Sequence, residues 1–384
     1  MNDNSEFAII AIGYNRLESI KRLLSSIFNT DYLGDKVDLI ISIDNSGSNI
    51  LIDYVKTLSW PHGKKTIVTH DKRLGLKKHV LKCGDFTKQY NYVCVLEDDL
   101  YVSPRFYEFA KQSIKYFNEN KIIAGISLYS HQWHPYVNRP FMPIQDGYDI
   151  YLLQVASSWG QIWSKNSWEN FTTWLEDKTD EYLHSDLMPS AVSNWSSKSW
   201  LKYHNRYLVD SNKYFIYPKY SLTTNFSDRG EHADVNTTYQ VPLLLGKNNN
   251  LKLPEKIDDL LKYDSFFEYK SLSNYVGIKE DEIDISIYGN RKRKKRYLLT
   301  TEICNFKVIK SFGLKLRPIE ANVVLNVSGS GIYLYDTTKK VNKLRLYNKN
   351  DVNRFLYEIK TESKKELLFA SLHLYLKALL RKIA

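Results

Sequence analysis

Three cysteines in 384 residues, Cys83, Cys94 and Cys304, are too few and too widely spaced for a disulfide framework or a zinc site. Their scarcity fits a reducing compartment. A basic leader is also missing, because the first apolar run, residues 7–13, is short and follows Asp3 and Glu6, which argues against a secretory signal. No stretch is long and apolar enough to span a bilayer. Acidic residues are in deficit, 43 against 54 Lys and Arg, and a net charge of +11 points to an anionic partner: nucleic acid, a phosphorylated ligand or an anionic membrane surface. What remains is a globular chain, 43% hydrophobic and 25% charged, long enough for two or three domains and expected in the cytoplasm.

The N-terminal half alternates strand and helix patterns. "FAIIAIG" (7–13) is apolar on both faces, like a central parallel strand, and Leu17, Ile20, Leu24, Ile27 and Phe28 follow at helical spacing with Asn15 as the expected N-cap. "VDLIISID" (37–44), "KTIVTH" (65–70), "YVCVL" (92–96) and "IIAGISL" (122–128) read as further strands. Ser103 and Pro104 open a helix whose apolar face is Phe106, Phe109, Ile114 and Phe117. The expected fold class is α/β: a nucleotide-binding sheet flanked by helices, with a smaller α+β region at the C-terminus.

Three carboxylates, Glu97, Asp98 and Asp99, end the "YVCVL" strand and fall in the strand-to-helix turn, where open α/β sheets bind ligands. Neighbouring carboxylates in a partly desolvated crevice stay ionised only beside a cation. Oxygen ligands of this kind suit Mn2+ or Mg2+, which take one or two carboxylates and complete their shell with water and substrate phosphates. The bland alternative is a solvated acidic turn favoured by the following helix dipole.

Together, "AIIAIGYNR", "DLIISIDNSG" and "YVCVLEDDLYVSPRFYEFAKQSIKYF" resemble, in order and spacing, the glycosyltransferase A fold family typified by N-acetylglucosaminyltransferase I and its bacterial polysaccharide-synthesis relatives. The resemblance spans roughly residues 6–240. It implies that Asp99 holds the metal, with Glu97 and Asp98 near the ribose and donor sugar. It further implies that Arg16 and Asp44 hold the nucleotide, that Trp159 in "VASSWGQIWSKNSWENF" floors the sugar pocket, and that His232 in "YPKYSLTTNFSDRGEH" sits near the diphosphate. Lys77, Lys78 and His79 compete for a further phosphate-facing role. The family's catalytic base usually follows a tryptophan in a "W-D" pair, whereas Trp200 is followed by Leu201 and Lys202. An acid from another segment is therefore expected to serve, and the candidates are Glu231, Asp228 and Asp186.

Residues 1–245 thus read as a catalytic domain and 246–384 as an accessory region. "KNNNLKLPEK" (247–256) has a linker's composition, and "RKRKKR" (291–296) is either a solvated loop or a polybasic patch. In "ELLFASLHLYLKALLRKIA" (366–384), Leu368, Leu372, Leu376, Leu379 and Ile383 share one helical face with Lys377, Arg381 and Lys382 nearby. That stripe packs on the catalytic domain, forms a dimer, or holds the protein on the anionic inner face of a membrane beside lipid-linked acceptors. Aromatic richness, with 29 Tyr and 8 Trp, suits sugar stacking as well as plain compositional bias.

The expected function is a metal-dependent, inverting hexosyl- or N-acetylhexosaminyl-transferase. It moves a sugar from a nucleoside diphosphate sugar, UDP-linked by preference, to a glycan or lipid-linked acceptor in surface polysaccharide synthesis. The alternative is a non-catalytic carbohydrate- or polyanion-binding protein on the same fold. Nucleic acid is not expected as a partner, because the basic run lacks a groove-reading element or interleaved aromatics.

Overall fold

The computed structural model describes residues 6–383 apart from 118–119, 180, 184, 229–238, 248–249, 343–348 and 360–362. Its first half is a run of β-strand and helix units: β1 (Phe7–Gly13), α1 (Leu17–Phe28), β2 (Asp38–Ile43), α2 (Ile50–Thr57), β3 (Lys65–Thr69), α3 (Leu76–Gly84), β4 (Tyr92–Glu97), β5 (Leu100–Val102), α4 (Phe106–Phe117) and β6 (Ile123–Ser127). All seven β1 residues are buried, as a strand covered on both faces requires. Ala8, Ile10 and Ile12 pack on one side of the sheet, and Ile9 and Ala11 on the other.

Among the described residues nine strands form the large sheet. β3, β2, β1 and β4 lie side by side and parallel. The strand Gln161–Ser164 then enters antiparallel between β4 and β6, and Tyr214–Pro218, Ile150–Leu153 and Lys262–Tyr263 continue beyond β6. This is the α/β architecture expected from the strand runs, with one addition: residues past 246 supply its last strand.

Several local expectations change. Arg16, not Asn15, occupies the N-cap of α1; its guanidinium has no acceptor with which to cap the helix and instead turns to the acids described below. Leu100–Val102 forms a short strand paired with Thr223–Asn225 before α4 begins, so the acidic turn lies between two strands. The linker-like segment is tied down at two points, with the Leu251 amide donating to Gln112 Oε1 of α4 at 2.7 Å and the Lys252 amide to Asp149 Oδ2 at 2.7 Å.

A smaller sheet of four strands, Ile283–Ser286, Tyr297–Thr300, Ile332–Lys340 and Phe306–Phe312 in spatial order, occupies the C-terminal region. The run 291–296 lies beside it, and its cations have partners. Arg291 pairs with Asp264, Lys292 and Lys294 pair with Asp186, and Arg296 pairs with Asp336. Lys295 donates to the carbonyls of Glu280 and Ile283, while Arg293 lies over the Phe306 ring. The six consecutive cations thus each meet an acid, a carbonyl or a ring, although Lys292, Arg293, Lys294 and Arg296 remain exposed.

Candidate active site

The acidic turn is built by its neighbours. β4 is held between β1 and Gln161–Ser164, with Glu97 level with Ile12, so the chain leaves the sheet beside the β1–α1 turn that carries Arg16. The Asp99 carbonyl accepts the Phe226 amide at 2.8 Å. Thr223, on the same strand, donates to the Trp159 carbonyl at 2.6 Å. One short strand therefore joins the acids to Trp159, whose ring contacts Tyr129 and Tyr239 at centroid distances of 4.6 and 4.7 Å.

Electrostatically the turn is a site short of positive charge. Arg16 Nε donates to Asp98 Oδ2 at 3.2 Å, its Nη2 pairs with Asp98 Oδ1, and Nη2 lies 3.9 Å from Asp99 Oδ2. Burial nevertheless pushes the Asp98 carboxyl up to about 6, and burial together with the Asp99 and Asp98 charges lifts Glu97 well above the carboxylate range. Asp99 is raised too, by burial, against the opposing pull of Arg16 and a hydrogen bond from Asn225. Among the described residues Asp99 Oδ1 is buried without a hydrogen-bond partner. An orphaned carboxylate oxygen next to two more acids is a donor set that a hard divalent cation fits. No group of three or more acidic, His or Cys side chains among the described residues forms a metal cage, so such an ion would need oxygens from a ligand.

Asp44 ends β2, where its carboxylate accepts the amides of Asn45 (2.8 Å), Leu74 (2.8 Å) and Gly75 (2.9 Å). Burial raises its pKa, but these three amides outweigh burial and hold it below the usual range. Gly75, at φ 77°, makes the turn that brings its amide there. Asp44 thus fixes the loop leading into α3. Of the three α3 candidates, His79 is buried against Ser42 Oγ at 2.7 Å, Lys77 lies over the Tyr203 ring, and Lys78 is exposed.

The base candidates fare differently. Asp228 is clamped, with Oδ2 accepting from Ser19 Oγ at 2.7 Å and pairing with Arg22, while its carbonyl accepts from Arg16 Nη1 at 3.4 Å. Burial works against ionisation there, yet these donors hold its pKa below the usual value. It is placed as an anchor for the 226–228 segment on α1, and Arg22 also stacks on Phe226 at 3.9 Å. Asp186 is engaged by Lys292 and Lys294 of the C-terminal region. Glu231 and His232 lie outside the described residues. Trp200 and Lys202 are both buried, and Trp200 meets Trp163 edge to face at 5.9 Å, so this tryptophan is core. The sequence reading missed Ser19 and Arg22; Arg16, Ser19 and Arg22 recur every third residue along α1, and that spacing was the available signal.

The raised Asp98 carboxyl carries a pH signature. Its unfolded value is 3.8 and its folded value about 6. Below the unfolded value the group is protonated in both states and its contribution is full; that contribution is lost as pH rises through the folded value. Melting curves recorded without divalent ions between roughly pH 4 and 7 should therefore fall more steeply for the wild type than for Asp98→Asn. Asp44 and Asp228, shifted the other way, are common to both proteins. Parallel curves would remove the assignment.

The strand order, the β1–α1 turn and the acid-bearing end of β4 define an α/β fold of the nucleotide-binding type. Residues 8–168 match the family model described as glycosyl transferase family 2, so this segment, less than half of the chain, carries that family's sequence pattern. The match does not single out N-acetylglucosaminyltransferase I. No curated protein matches the chain. Among solved structures it is similar to S. aureus TarS 1-349 in complex with UDP-GlcNAc, at 14% identity over 59% of this chain and 60% of that one, with a TM-score of 0.38. It is also similar to the mannosyltransferase PcManGT from Pyrobaculum calidifontis in complex with GDP-Man and Mn2+, at 13% identity over 46% and 48%, with a TM-score of 0.31. The chain spans less than two thirds of the length of either, and likenesses this distant assign no substrate.

Proposed function

We propose that the protein is a glycosyltransferase that takes a sugar from a nucleoside diphosphate sugar, UDP-linked by preference, and passes it to a glycan or lipid-linked acceptor in surface polysaccharide synthesis. The observation that carries this reading is the unpartnered Asp99 Oδ1 within the segment matching family 2. Asp99 would hold Mn2+ or Mg2+, which when bound supplies positive charge for the leaving diphosphate. Arg16 neutralises Asp98 and stands ready to share that charge; Asp44 fixes the loop beside the nucleotide; the half-buried Trp159, backed by the buried Tyr129, offers an apolar ring surface to a sugar. The catalytic unit is taken as residues 1–245. A screen of nucleotide sugars for Mn2+-dependent thermal stabilisation, followed by a product assay with the stabilising donor, tests the proposal; stabilisation by no donor would defeat it.

In an inverting transfer the acceptor hydroxyl gives its proton to a base as its oxygen bonds to the anomeric carbon and the diphosphate departs. With Asp228 and Asp186 both held by cations, Glu231 is the proposed base. Glu231→Gln should leave donor affinity nearly unchanged while lowering transfer by roughly a hundredfold. Wild-type turnover in that variant would remove Glu231 from the role. The second reading, a non-catalytic carbohydrate- or polyanion-binding protein, is favoured by one observation: the residues standing where the family keeps its base, Trp200 to Lys202, belong to a helix whose Trp200 and Lys202 are buried. Tight donor binding without any transfer would select it.

A further inference from the structure

We infer that the C-terminal region is a docking surface for an anionic lipid bilayer, held there by its terminal helix and by one edge of its small sheet. The helix Lys364–Ile383 is about 30 Å long at 1.5 Å per residue. Leu368, Phe369, Leu372, Tyr375, Leu376 and Leu379 are between 41% and 67% exposed. Their spacing places them on one side of the helix, an apolar stripe left facing solvent. No helix among the described residues is long and apolar enough to cross a membrane, so this one would lie in the interface plane.

A second exposed apolar patch sits on the edge strand Phe306–Phe312. Val308 and Ile309 are 45% and 49% exposed and are bracketed by exposed Lys307 and Lys310, with Lys340 across the strand pair at Phe306. Lysines alone would be ordinary protection of an open edge, but that role leaves the two exposed β-branched side chains unexplained. Leaving aside the paired run 291–296, residues 306–342 contain six Lys or Arg against two Asp or Glu. The terminal helix adds Lys364, Lys365, Lys377, Arg381 and Lys382 against Glu366. Apolar side chains set among cations match an anionic headgroup layer over acyl chains. A second copy would bring like charge to both patches, and a soluble polyanion would leave the apolar stripe uncovered. The inference stands apart from the transferase reading, because neither patch contributes to the acidic turn.

The test is sedimentation of the full chain with vesicles of phosphatidylcholine alone or with roughly a third phosphatidylglycerol, at low and high salt. Binding should be at least about tenfold tighter to the anionic vesicles and weaken with salt. Leu372→Asp/Leu376→Asp should abolish binding, and Lys307→Glu/Lys310→Glu should reduce it about tenfold or more, with melting temperatures unchanged because all four side chains are exposed. Equal affinity for both vesicle types, or wild-type binding by both variants, would overturn the inference. So would a light-scattering mass showing a dimer that the leucine variant dissolves, which would make a second copy the occupant.

Discussion

Asp99→Asn is expected to lose Mn2+-dependent UDP binding by on the order of a thousandfold, because it replaces a carboxylate with an unpartnered oxygen in the acidic turn by a neutral amide. The same substitution should leave the empty protein as stable as the wild type or slightly more so. Burial already disfavours ionised Asp99, so a neutral side chain relieves an unfavourable charge. The two signs together separate metal binding from a structural role. Calorimetric titration of UDP with and without Mn2+, alongside thermal melts of the empty proteins, reads both. Mn2+-dependent binding that survives in Asp99→Asn would sink the metal assignment, and a large loss of stability would recast Asp99 as a folding determinant.

The second large effect concerns the floor of the sheet rather than its ligand end. Trp168 is 1% exposed, stacks on Trp163 with centroids 4.4 Å apart, and donates to Asp85 at 3.1 Å. Its indole lies where a Cβ on Gly84 would have to be, so α3 approaches this tryptophan only because residue 84 has no side chain. Trp168→Ala should cost about 4 kcal/mol through lost contacts and the cavity left behind. Gly84→Val should cost about 3 kcal/mol through overpacking. In the Trp168→Ala background the valine would enter vacated space, so the double variant should be more stable than the two losses added together. Chemical denaturation of the four proteins checks this; simple additivity would mean that the indole and residue 84 do not compete for the same volume.

Much of the nucleotide-binding half was legible because its signals are local. β1, β2, β3, β4 and β6 fall within a residue or so of the apolar runs that suggested them, and α1 and α4 follow their apolar spacing. The acids, Arg16 and Trp159 were legible as motifs, and the structure joins them through Thr223–Asn225. What escaped was non-local. β5 and its partner are three-residue strands without periodicity, and they exist only because residues more than a hundred positions apart pair. Nothing in "RKRKKR" shows that its partners wait at Asp264, Asp186 and Asp336. The helix Trp200–Asp210 looks half polar, yet Lys202, His204, Asn205 and Arg206 are buried with its tryptophan and tyrosines, since contacts rather than composition decide burial there.

The antiparallel strand Gln161–Ser164, wedged between β4 and β6, also governs how the chain can be made. β1, β2 and β4 can align soon after residue 97 leaves the ribosome, but β4 then presents an open row of amides and carbonyls with no neighbour from the next sixty residues of chain. β6 emerges meanwhile and cannot fill that place, because its own partners are residues 161–162 and 214–216. A nascent chain therefore carries one unsatisfied edge on β4 and two on β6, competent to pair with another copy; residues 161–164 close one on each strand, and residues 214–216 close the last. Loop closure over such separations is slow, so these edges stay open for longer than they would between strands joined by short turns.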